Sequence, residues 1–219
     1  MSASANPQNM APARSSWRLG VKRGADVVAS AILLAVLWPL LAILMLLIRL
    51  TSPGPAIFRQ DRLGRRGRPF SLLKLRTMVH GAESMGAGLA ITSGDRRITR
   101  LGKLLRATSL DELPQLWNVL RGEMSLVGPR PLPVRYLHRF NDRQRLRFTM
   151  PQGITGWAQA RGRNVASWPE RLEMDVWYVE HWSLLLDVRI LAETVLAVVA
   201  RRGVSAEDGS VKEFQPDDS

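Results

Sequence analysis

Two adjacent carboxylates, Asp111 and Glu112, and an arginine set between two prolines, Pro129-Arg130-Pro131, are the residues here best suited to chemistry. They share one stretch, Ser109 to Pro131, reading SLDELPQLWNVLRGEMSLVGPRP. Ser109 and Glu112 fit the S-x-x-E capping box, with Ser109 as N-cap. Pro114 conflicts with that register, because at the fifth helical position it deletes a backbone hydrogen bond. A helix starting at Asp111 puts Pro114 in the first turn, where the lost N–H matters less. Both registers place the acidic pair where free N–H groups and the helix dipole favour ionised carboxylates. Capping alone explains a lone acidic pair, but this one has cations around it in sequence. Arg106 lies upstream, Arg121 and Arg130 downstream, and Lys74 and Arg76 stand in an earlier apolar run. Carboxylates with several arginines point to a metal ion and phosphate, since the guanidinium fork matches phosphate oxygens with two parallel hydrogen bonds. Neighbours on a helix diverge by about 100°, so these two acids cannot face each other across a sugar as in a glycosidase.

The elements that must position this stretch begin with a membrane-scale feature. Residues 1–16 are rich in Ala, Ser, Asn and Pro and read as a disordered lead-in. The uncharged run from Val27 to Ile48 is long enough, at ~1.5 Å per residue, to cross a bilayer core of about 30 Å. Its late start and the lack of a small-residue cleavage pattern argue against a cleaved signal peptide. Arg14, Arg18, Lys22 and Arg23 precede it, and Arg49, Arg59, Arg62, Arg65, Arg66 and Arg68 follow it. Basic residues mark cytoplasmic flanks, and here both flanks are basic. Pro39 stands mid-run, where it removes a helical bond and favours a bend. Residues 17–50 therefore read as a proline-bent, re-entrant helix with both ends in the cytoplasm. A simple spanning helix that tolerates proline is the alternative.

The rest reads as a small domain over residues 51–203. Ala56 to Gln60 and Pro69 to Met78 are short strands around an arginine-loaded turn, which beside a membrane would lie on anionic head groups. His80 to Gly94 is glycine-rich, a candidate lid. Ile98 to Arg106 is a basic amphipathic helix, for the membrane surface or for core packing. Val134 to Phe148 reads as one basic helix, solvated or lipid-facing. Gln152 to Asn164, with its glycines, reads as loop. Helices follow from Pro169, carrying Glu173 and Asp175, and from Leu184 to Arg202, carrying Asp187 and Glu193. Residues 204–219 are a polar tail. The fold class expected is α+β, mostly helical.

With 31 Lys and Arg against 19 acids, the net charge of +12 suits anionic partners such as nucleic acid, acidic lipid or phosphorylated substrates. No cysteine is present, which removes disulfides and thiolate chemistry. His80, His138 and His181 are too scattered for metal-ligand spacing. Charge alone admits a membrane-tethered nucleic-acid-binding protein, but no binding motif appears and the acidic pair stays unexplained. A membrane scaffold with a dead site is the other alternative.

Four segments carry a resemblance: KLRTM at Lys74 to Met78, LRATSLDELPQLWNVLRGEMSLVGPRP, PQGITGWAQARGRN from Pro151, and DVWYVEHWSLLLDVRIL from Asp175. In this order they resemble the bacterial sugar transferases, the monotopic polyprenyl-phosphate phosphoglycosyl transferases, across residues 20 to 205. That resemblance implies a monotopic protein with a re-entrant helix bent at Pro39 and a small catalytic domain on the cytoplasmic face of the bacterial inner membrane. It implies transfer of a phosphosugar from a UDP-sugar to polyprenyl (undecaprenyl) phosphate, through a covalent aspartyl intermediate with Mg²⁺. Asp111 would be the nucleophile and Glu112, with Asp111, the Mg²⁺ site. Arg106, Arg130, Lys74 and Arg76 would bind substrate, and Asp175 and Asp187 match acidic positions of the family's C-terminal motif. Inner-leaflet anionic lipids and a homodimer are further expected partners; nucleic acid is not.

Overall fold

One long helix, α1 (Ser16–Thr51), dominates the computed structural model, which describes residues 16–85, 95–161 and 167–200. Residues 1–15 of the lead-in, the second half of the expected lid, the GRN end of the third motif and the polar tail lie outside the described residues. Helical structure runs without interruption through Pro39, so no break in the helix marks the expected bend. Within residues 17–51 an 18-residue window has a mean hydropathy of 2.9 and is largely bare, which makes membrane association plausible.

What α1 buries is one polar stripe at each turn of its first half and two leucine-type contacts near its end. Lys22, Asp26 and Ser30 are buried at four-residue spacing, and so are Leu44 and Ile48. Between them Ile32, Val36 and Trp38 stand exposed. Near its start, Lys22 Nζ donates to Asp187 at 2.7 Å and to the Val127 carbonyl at 2.9 Å. Arg23 donates to the carbonyls of Val119 and Leu120, while Asp26 accepts from Ser125 Oγ and the Leu126 N–H. At the other end Leu44 and Ile48 pack with Ala56, Leu75 and Leu105.

Strands β1 (Ile57–Leu63) and β2 (Pro69–Leu75) form an antiparallel hairpin, with Ile57 opposite Leu75 and Leu63 opposite Pro69. Its tip turns through Arg66 and Gly67, both at positive φ. Alternation then separates the side chains: Leu72 packs on Val119 and Met124, while Leu75 faces the α1 cluster. Helix α2 (Arg100–Ala107) is N-capped by Thr99, and α3 (Gln115–Arg121) ends at Gly122 in the left-handed conformation. Strand β3 (Ser125–Val127) pairs in parallel with β4 (Gly153–Thr155). The segment expected to be loop thus holds β4 and a short helix, α5 (Trp157–Arg161). Its glycines serve close backbone packing: a Cβ on Gly153 would lie 2.1 Å from the Gly128 nitrogen, and one on Gly156 2.2 Å from the Gly128 carbonyl oxygen.

The single basic helix expected over Val134 to Phe148 is three shorter pieces. Val134–Arg139 and Leu146–Thr149 are 3-10 turns around α4 (Asp142–Arg145). Asn141 is the reason for the break, since it forms a capping box with Gln144 and restarts the helix. Nor is the segment simply solvated: Tyr136, Phe140, Leu146 and Phe148 are core, and Arg147 is fully buried. Helices α6 (Trp168–His181, capped by Ser167 and Glu170) and α7 (Leu184–Val199, capped by Ser183) close the fold. Among the described residues, two small sheets and seven α-helices make an α+β, mostly helical arrangement.

Candidate functional site

Asp111 and Glu112 sit on a 3-10 turn, Leu110–Glu112, wedged between α2 and α3. Neither expected helix register forms. Ser109 adopts φ 56, a left-handed conformation in which its side chain caps nothing, and α3 starts only after Pro114. A non-glycine residue in that region carries local strain, here beside the two acids.

The two carboxylates have opposite surroundings. Glu112 Oε1 accepts from Lys74 Nζ at 2.7 Å and from Arg130 Nη2 at 3.0 Å. Burial opposes its charge, yet Lys74 and Arg130 outweigh that and hold the carboxyl well below the usual range. Asp111 is also buried, but among the described residues nothing donates it a hydrogen bond; the nearest cation is Lys74 Nζ at 3.7 Å. Burial pushes its carboxyl up, only partly offset by Lys74, and the neighbouring Glu112 charge adds to the rise.

The cations divide into those at the acids and those elsewhere. Lys74 comes from β2, Arg106 from the last turn of α2, and Arg130 from the GPRP strap after β3. Arg106 donates through Nε to Thr77 Oγ1 at 2.8 Å. Burial lowers its pKa, and the Asp111 and Asp95 charges pull it back up. Glu112 raises that of Arg130. Arg76, expected among the substrate cations, turns away to the end of α1. It donates to the carbonyls of Pro53 at 2.7 Å and Ser52 at 2.6 Å, satisfying groups the helix end leaves bare. Arg121 pairs with Glu123 at 3.1 Å. Asp187 holds Lys22, Tyr178 Oη at 2.7 Å and Trp182 Nε1 at 3.1 Å, so it anchors α1 to α7. Asp175 meets Arg147 at 2.6 Å, one residue layer behind Arg130.

Sequence reasoning missed Thr77 and Arg147. Thr77 had a signal, a hydroxyl inside the KLRTM segment that also carries Lys74. Arg147 had a weaker one: it is flanked by Leu146 and Phe148, which its basic neighbours masked.

No group of three or more His, Asp or Glu suited to a metal is present among the described residues. Two adjacent carboxylates nevertheless fit Mg²⁺, which binds through one or two carboxylates and takes its remaining oxygens from substrate phosphate and water. The unbonded Asp111 oxygens leave room for such a ligand set, while Glu112 has one oxygen committed to two cations.

The bacterial sugar transferase family matches residues 17–201. An uncharacterized sugar transferase of Bacillus subtilis, EpsL, is 43% identical over 184 residues, covering 84% of this chain and 90% of the relative. A UDP-glucose:undecaprenyl-phosphate glucose-1-phosphate transferase of Caulobacter vibrioides is 47% identical over 182 residues, or 80% of this chain and 68% of the relative. The enzyme with that same description from Escherichia coli K12 is 39% identical, over 80% of this chain but only 39% of its own length. The chain belongs to the bacterial sugar transferase family and is an enzyme of sugar-phosphate transfer.

Proposed function

We propose that the protein moves a phosphosugar from a UDP-sugar to polyprenyl (undecaprenyl) phosphate by way of a covalent aspartyl intermediate. The observation that carries this reading is the asymmetry of the acids: Asp111 buried and free of hydrogen bonds, Glu112 clamped by Lys74 and Arg130. A carboxylate stripped of donors keeps its lone pairs for attack, whereas a doubly paired one is suited to holding charge. Asp111 attacks the sugar-bearing phosphorus, an acyl-phosphate bond forms, and the phosphoanhydride bond breaks to release UMP. The polyprenyl phosphate oxygen then attacks the same phosphorus and returns Asp111 as a carboxylate. Arg106 and Arg130 neutralise the diphosphate as charge develops on the leaving oxygen. Lys74 favours the charged form of both acids, helping to hold Glu112 ionised and partly offsetting the burial of Asp111. Mg²⁺, held by Glu112 with Asp111, would supply Lewis-acid stabilisation of phosphate charge. Incubation with a panel of UDP-sugars and undecaprenyl phosphate, read as UMP release, tests the reaction; no release with any donor would sink it.

Arg106→Lys and Arg130→Lys test the phosphate contacts. Each keeps the charge and loses the planar fork, so each should lower kcat/KM by more than about tenfold. Wild-type rates in both would assign these arginines to structure.

The same reading places α1 in the membrane as a re-entrant element, with both ends and the catalytic domain on the cytoplasmic face. Its support is geometric. Both ends of α1 are fastened to one small domain, through Lys22, Asp26 and Ser30 and again through Leu44 and Ile48. The segment 31–43 between these fastenings measures about 20 Å at ~1.5 Å per residue, short of a hydrocarbon core of about 30 Å. It can enter one leaflet but cannot cross while both ends stay docked. Arg65, Arg66 and Arg68 at the hairpin tip would meet anionic head groups. Tags at residues 5 and 215 should both be reachable only from the cytoplasmic side. An N-terminal tag labelled from outside intact cells would establish a spanning helix instead.

A further inference from the structure

We propose that Arg147 and Asp175 are positioning residues for the transfer reaction, acting through the main chain of Arg130; this rests on the reading of Arg130 as a phosphate-binding residue. The strap that carries Arg130 is held one carbonyl at a time. The Pro129 carbonyl accepts from the Gly153 N–H at 2.9 Å, and that of Leu132 from the Leu63 N–H at 2.8 Å. Between them the Pro131 carbonyl accepts from Arg62 Nη1 at 3.3 Å, and the Arg130 carbonyl from Arg147 Nη2 at 2.6 Å. Four successive carbonyls are thus fixed by four residues from three segments, two of them neighbours in β1, and Arg147 is the one that grips the functional residue itself.

The geometry of the pair shows what it is for. An arginine and a carboxylate pair best as fork to fork, two N–H groups on two oxygens. Here Arg147 puts both Nε and Nη2 on the single oxygen Oδ2 of Asp175, at 3.2 and 2.6 Å. Oδ1 of Asp175 is left buried without a partner, as is Arg147 Nη1. Nη2 is shared with the Arg130 carbonyl instead. The pair therefore forgoes its own best contact in favour of the strap. Arg147 and Asp175 are 0% and 4% exposed. A buried ion pair of this kind seldom adds stability over apolar side chains of similar size, so stability gives it no reason to be there. Fixing the Arg130 carbonyl does. The Arg130 side chain is 47% exposed, so its aim at Glu112 depends on where its backbone is held. Pro129 and Pro131 on either side stiffen the strap and pass a shift of that carbonyl directly to the guanidinium. Asp175 in turn orients Arg147, so its place in the reaction is two contacts removed from substrate.

The test is a double-mutant cycle on the full-length protein in detergent, using the UDP-sugar that gives the most UMP with undecaprenyl phosphate. Arg147→Lys keeps a cation beside Asp175 but loses the fork that also reaches Arg130. Its kcat/KM should fall at least tenfold, with the melting temperature nearly unchanged. Combined with Arg130→Lys, it should cost no more than Arg130→Lys alone, because both act through one side chain. Losses that multiply would overturn the proposal, as would wild-type kcat/KM in Arg147→Lys. Should Arg147→Lys fail to fold, the apolar double variant Arg147→Met with Asp175→Leu takes its place. That protein should fold and still lose at least tenfold in kcat/KM, and full activity in it overturns the proposal equally. Wild-type activity in Arg130→Lys would instead bring down the phosphate-binding reading, a separate and recognisable outcome.

Discussion

Asp111→Asn should abolish turnover, by about 10⁴-fold or more, while Glu112→Gln should leave a slow enzyme that added Mg²⁺ partly restores. The difference follows from what each carboxylate touches. Asp111 is buried, raised in pKa and without a hydrogen-bond donor, so its replacement by a neutral amide removes a nucleophile and breaks no hydrogen bond. Glu112 receives Lys74 and Arg130. Its replacement frees two cations and removes one metal ligand, yet leaves the reacting atom in place. Incubation with UDP-sugar carrying labelled phosphate, followed by acid quench, should leave label on wild-type protein at Asp111. The Asp111→Asn protein should stay unlabelled. A simple capping role would instead cost roughly 1 kcal/mol of stability in either variant and spare the chemistry. An Asp111→Asn protein that releases UMP at the normal rate would falsify the covalent reading.

The site was legible in sequence where chemistry is carried by residue type, and illegible where it depends on packing. Asp111, Glu112, Lys74, Arg106 and Arg130 could be picked out because acids and arginines in one motif have few other joint uses. The structure gathers them: Lys74 and Arg130 meet on Glu112, and the Asp111 and Arg106 charges act on each other. Arg76 could not be told from Lys74 by sequence. Two residues apart they would share one face of a continuing strand, but β2 ends at Leu75, and Arg76, just past that end, turns instead to the carbonyls at the end of α1. Asp187 looked like a motif residue of the same kind as Asp175, but α1 had to be in place before its partner, Lys22, was visible. Length and apolar character announced α1, and short strand-like runs on either side of an arginine-loaded turn announced the hairpin. The loop after Pro151 misled because its glycines read as freedom, whereas they bring the Gly128 and Gly153 backbones into contact. The segment from Val134 misled for the converse reason: many arginines read as solvent, and one of them is the core of the strap's support.

Gly102→Ala should destabilise the protein by about 2–3 kcal/mol, although alanine is the better helix former by about 1 kcal/mol. Gly102 lies within α2, and a Cβ there would fall 1.9 Å from the Thr77 carbonyl oxygen and 2.7 Å from its carbon. Backbone cannot step aside as a side chain can, so the helix must lift by more than about 1 Å to reach ordinary contact. That carbonyl also accepts from the Thr99 N–H at 3.0 Å, so lifting the helix pulls on its own N-cap residue. Arg106 follows Gly102 by one turn and lies on the same face. Displacing α2 therefore draws Arg106 from Thr77 and from Asp111, and activity should fall along with the melting temperature. The expected drop is about 5–10 °C for a chain of this size. Gly20→Ala is the matched control: Gly20 is also helical, with nothing within 4 Å of its missing Cβ, so propensity alone should act and stability should hold or rise. If Gly102→Ala melts at or above the wild-type temperature, α2 does not press on Thr77, and the placement of Arg106 beside the acids loses its mechanical basis.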